Sequence, residues 1–100
     1  MKLGILVTTD RHLADVLGIV DAALEKGHEV IIFNMDEGAR LLADGAFHSL
    51  CEKDNVRMSY CDLNARQLNI AKEGIPGEIA CGSQLDNARM VHDADRVIRL

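Results

Sequence analysis

Two rhythms of apolar and polar residues alternate along the chain, one with the period of a strand and the other with that of a helix. Lys2 to Thr8 is a short, nearly continuous apolar run, as expected of a strand covered on both faces. A polar loop, Thr8 to His12, supplies a cap. Leu13, Val16, Leu17, Val20, Ala23 and Leu24 then recur at the spacing of one helical face. Gly27 ends that helix, and Val30-Ile31-Ile32-Phe33 reads as a second buried strand. Asp36, Glu37 and Gly38 suggest a turn, and Ala39 to Ala43 a helical turn. Ala46 to Lys53 reads as a helix with Phe47, Leu50 and Cys51 on one face.

From Val56 the period becomes two: Val56, Met58 and Tyr60 alternate with Arg57 and Ser59, and Cys61 stands where this third strand runs out. Asp62 or Asn64 can cap a short helix carrying Leu63 and Leu68, and Asn69 is a left-handed stop for it. Glu73 to Gly77 is a turn-rich connection, and Glu78 to Gly82 a short fourth strand. Ser83 with Asp86 forms a capping-box spacing that opens a helix through Leu85, Ala88 and Val91. Asp95 to Leu100 is the fifth strand.

Strands alternating with helices imply right-handed crossovers. The expected architecture is a single domain, residues 1–100, of the α/β class. It is a three-layer α/β/α sandwich around a five-stranded, mainly parallel sheet, with Leu6, Val7, Ile31, Ile32 and Val97 buried. In such sheets, chemistry collects at the carboxyl ends of the strands. Four loops share that edge: Thr8 to His12, Asn34 to Gly38, Cys61 to Asn64, and Cys81 to Ser83.

Charge narrows the possible partners. A formal net charge of −5, with 3% aromatic residues and no tryptophan, offers neither a cationic field nor stacking platforms, so nucleic acid is not expected. The amino-terminal apolar run is too short for a signal peptide, and no stretch reaches the length of a membrane span. Three irregularly spaced cysteines do not make a disulfide framework. A cytoplasmic protein with reduced thiols is the expectation.

Cys61 is the leading chemical candidate. A sulfur between a strand's carboxyl end and a helix's amino end meets unpaired N–H groups, which favour a negatively charged sulfur. Asp62 sets a carboxylate beside it, with Arg11 and Arg66 as candidate counter-charges. Cys81, on the same edge, is a weaker candidate as resolving thiol or ligand, and His12 a weaker one still as proton donor. Cys51 shares an apolar face with Phe47 and Leu50, which reads as packing. No C-x-x-C pair supports a metal site, and no glycine-rich phosphate loop supports a nucleotide. No metal and no cofactor are expected.

Gly27-His28-Glu29-Val30 with Phe33, then Asp36-Glu37-Gly38, Val56-x-x-x-x-Cys61 with Ile70, and Ala94-Asp95-Arg96-Val97-Ile98 together resemble the DsrE/DsrF family, which includes the TusD-type sulfur-relay proteins. The similarity spans nearly the whole chain. Leu68-Asn69 stands where the family often has Arg-Gly, and Asn64 where some members have a second cysteine. The resemblance implies a small α/β/α subunit that carries sulfur as a persulfide on Cys61, between a protein donor and a protein acceptor. It also implies a homo-oligomer, trimer or hexamer, or a hetero-oligomer with paralogues. The alternative is a non-catalytic oligomeric binding or regulatory module of the same fold, with an incidental cysteine.

Overall fold

A computed structural model describes all of residues 1–100. Its five strands are β1 (Lys2–Val7), β2 (Glu29–Asn34), β3 (Val56–Cys61), β4 (Ala80–Gly82) and β5 (Arg96–Arg99). They pair in parallel throughout, in the order β4-β3-β2-β1-β5. The helices are α1 (Leu13–Glu25), α2 (Gly45–His48), α3 (Asp62–Gln67) and α4 (Gln84–Asp93). The expected α/β sandwich is present.

Topology decides which face is thick. The connections from β1 to β4 all step the same way across the sheet, so right-handed crossovers put α1, α2 and α3 on one face. The step from β4 back to β5 reverses direction and puts α4 alone on the other. The main core lies on the thick face, where Ile5, Val7, Val30, Ile32, Met58 and Tyr60 of the sheet meet Val16, Val20, Phe47 and Ala65. The thin face holds a smaller cluster of Ile31, Phe33, Cys61 and Met90.

Val7, Ile31 and Ile32 are buried as expected, whereas Leu6 is only half-buried and Val97 is 40% exposed. Both exceptions point to the thin face, where one helix cannot roof five strands. Leu85, Ala88 and Val91 of α4 likewise face solvent.

Two helices end in the same way. Gly27 has φ +79, Gly27 N–H donates to Leu24 O, and His28 N–H donates to Ala23 O. Asn69 has φ +57, with Asn69 N–H to Arg66 O and Ile70 N–H to Ala65 O. Both are Schellman stops, and asparagine is the side chain that best tolerates glycine's usual position there. The expected helix Ala46 to Lys53 is instead split. Asp44 caps α2 by accepting from Ala46 and Phe47 N–H, and Ser49–Glu52 tightens into a 3₁₀ turn. Another 3₁₀ segment, Asp36–Ala43, crosses the end of β2.

That crossing is welded in place. Met35 N–H donates to Val7 O at 3.0 Å, and fully buried Asn34 donates through Nδ2 to Gly38 O at 2.9 Å. Gly38 rests directly on the β1 backbone, where an added Cβ would occupy the place of the Val7 carbonyl. The obstruction is main chain, which cannot swing aside. Gly38→Ala is therefore expected to destabilise the fold by about 2 kcal/mol or more, read as a lower urea midpoint with unchanged slope.

Candidate functional site at the carboxyl edge of β3 and β4

Strands β3 and β4 are neighbours, with Tyr60 opposite Cys81 and Cys61 opposite Gly82. Side chains alternate across a strand, so the register sends Cys81 to the face of Tyr60 and Cys61 to the other. Cys61 is the last residue of β3 and the N-cap of α3. Its side chain packs with Ile31, Phe33 and Met90 and is only 5% exposed.

Neither residue expected to cap α3 does so. Asp62 is the first helical residue, and no side chain caps the helix. Asn64 accepts from Asp36 N–H at 2.9 Å and donates to Gln67 Oε1 at 3.1 Å, tying α3 to the loop after β2. With six residues, α3 offers a short dipole.

Cys81 is exposed and has polar company. Lys72 Nζ lies 3.7 Å from its Sγ and 2.6 Å from Asp62 Oδ1, while Arg66 holds Asp62 Oδ2 at 2.9 Å. Lys72 holds the Asp62 carboxyl below its ordinary range, burial works against this, and Cys81 and Arg66 assist. Asp62 in turn raises the Lys72 ammonium. Beneath them Tyr60, 3% exposed, has its phenol pushed up to about 12, chiefly by burial and then by the neighbouring Cys81 thiol and the charge of Asp62. A negatively charged sulfur at Cys81 would face a fixed ammonium, the arrangement that suits sulfur exchange.

The edge gathers Cys81, Lys72, Asp62, Arg66 and Tyr60. It does not gather Cys61, Cys81 and His12. Cys61 faces the opposite side of the sheet from Cys81, and His12 follows β1, three strands from β4, where its Nδ1 lies 3.4 Å from Asp15. Cys51 is half-buried at the edge of the main core. Its thiol is pushed up by burial, then by Glu78 and Glu52, and Glu78 Oε2 stands 4.0 Å from the sulfur. Arg66, one of the two expected counter-charges of Asp62, fills that role. Lys72 stands just before the turn-rich connection Glu73 to Gly77, in a stretch that carries no periodic signal.

No protein-family model matches the chain, and no curated protein sequence matches it. Solved structures do. Protein YchN from E. coli superposes with a TM-score of 0.79 at 15% identity, with all of both chains covered. MTH1491 of Methanobacterium thermoautotrophicum, a protein of unknown function, gives 0.78 at 14%, covering 99% of this chain and 98% of its own. At these identities the likeness is one of fold, and the present chain shares the three-layer α/β/α architecture of both. No helix is long and apolar enough to cross a membrane.

Tyr60 is the only tyrosine and there is no tryptophan, so the phenol can be titrated optically. Phenolate absorbance should develop near pH 12 in the folded protein and near about 10 in urea. The unfolded chain loses this proton first. The stability tied to Tyr60 is thus whole below about pH 10 and is lost as pH rises toward about 12. Cys81→Ala should move the folded titration part of the way back toward 10, and an unchanged curve would show that Cys81 does not bear on Tyr60.

Proposed function

We propose that this chain handles sulfane sulfur on a thiol at the β3–β4 edge, accepting and passing it as a cysteine persulfide. The observation that carries the reading is the exposed Cys81 sulfur with Lys72 Nζ at 3.7 Å. A Cys81 thiolate attacks the outer sulfur of a donor persulfide. A new S–S bond forms, the donor's S–S bond breaks, and the donor leaves as thiolate, with no net oxidation. The next transfer repeats the exchange toward an acceptor thiol. The partners are a protein donor and a protein acceptor, and the working unit is a homo-oligomer or an assembly with paralogues. The DsrE/DsrF resemblance assigns the carried sulfur to Cys61. That residue packs with Ile31, Phe33 and Met90 and is only 5% exposed, so it offers a donor far less surface than Cys81 does.

Burial of Cys61 in an apolar cluster favours a second reading, a binding module in which that cysteine is packing. Intact-mass spectrometry after incubation with a persulfide donor separates the two. The wild type should gain about 32 Da, one sulfur atom. Cys81→Ser should abolish the gain, and Cys61→Ser should keep it. The reverse pattern would move the carrier to Cys61, and no gain in the wild type would leave the binding module. Cys51→Ala serves as control. Its thiol is held protonated, so loading should persist with a modest loss of stability, about 1 kcal/mol.

A further inference from the structure

A cavity of about 250 Å³ lies on the thin face of the sheet, between α4 and strands β3 and β4, on the far side of the sheet from Cys81. The polarity of α4 is inverted around it. The helix turns Asp86, Arg89, Met90 and Asp93, at i, i+3, i+4 and i+7, toward the cavity and leaves Leu85 and Val91 in solvent. From the sheet come Arg57 and Ser59, beside Ile31.

The charged groups here are largely unspent. No ion pair of the chain uses Arg57, Arg89 or Asp93, and the Ser59 hydroxyl makes no hydrogen bond within the protein. Asp86 differs. Its Oδ2 accepts from Ser83 N–H at 2.9 Å, completing the α4 capping box. Two guanidinium groups on converging elements are thus free, with one free carboxylate a turn beyond Arg89 and an apolar floor of Ile31 and Met90.

We infer that this cavity binds a small zwitterion of the α-amino-acid kind. The ligand carboxylate lies between Arg57 and Arg89, whose planar forks match it in pairs of hydrogen bonds. The ammonium faces Asp93, and a short apolar side chain rests on Ile31 and Met90. Other ligand classes fit less well. A phosphate dianion would set its charge against Asp86 and Asp93, and a drug-sized molecule needs a cavity of about 300 Å³ or more. The inference involves neither Cys81 nor Lys72 and stands apart from the sulfur-transfer reading.

The test is titration of the folded protein with L-valine, with its des-amino analogue 3-methylbutanoate and with inorganic phosphate, followed by backbone amide NMR shifts. L-valine should give saturable shifts confined to residues 57–59 and 86–93. Arg57→Gln and Arg89→Gln should each weaken it about tenfold. Asp93→Asn should weaken L-valine and leave 3-methylbutanoate unchanged. All three are surface positions, and unshifted amides elsewhere confirm that the variants fold. The inference is overturned by any of three results: no saturable shift with L-valine up to about 10 mM, phosphate or 3-methylbutanoate binding as tightly, or arginine variants that bind as well as the wild type.

Discussion

The structure depends on covering both faces of β2. This central strand is apolar on each side, with Val30 and Ile32 toward one layer and Ile31 and Phe33 toward the other. Leaving either pair in water would cost several kcal/mol at about 25 cal/mol per Å². Three consecutive crossovers cover the first pair generously. The second pair depends on α4, and through it on Met90, the one buried residue of that helix. The chain thus has a well-filled side and a lightly roofed side, and the lightly roofed one holds both the cavity and Cys61.

Electrostatics organises the opposite side of the rim. Asp62 begins α3, directly after the strand, and there draws Lys72 and Arg66 from different stretches of chain. Exposed ion pairs contribute little to stability. Their effect is positional, since Lys72 is held between a carboxylate and the Cys81 sulfur. The adjoining connection has little regular structure of its own beyond one 3₁₀ turn, Lys72–Gly74.

Much of the fold could be read from periodicity and stop signals. Gly27 and Asn69 mark helix ends because a left-handed residue is a local, chemical requirement. Ser83 with Asp86 marks a start for the same reason. Val97 misled because an apolar residue in a strand says nothing about how many helices roof its face. The site was less legible. Cys61 was found at the strand end where pattern placed it, but its burial follows from the contact with Met90, far away in sequence. Lys72 reaches Cys81 through tertiary geometry alone, and the parity that parts the two rim thiols becomes visible only once the β3–β4 register is known.

That parity has a consequence for oxidation chemistry. Cys61 ends β3 and Cys81 sits in the middle of neighbouring β4, yet their Cβ vectors leave opposite faces of the sheet, and a disulfide requires them to converge to about 4 Å. The native sheet therefore prevents a bond between these two sulfurs unless β4 detaches from β3. Under oxidising conditions Cys61 is therefore no partner for the exposed Cys81, which stays open to thiols of other molecules: a small thiol, another protein, or a second copy of this chain.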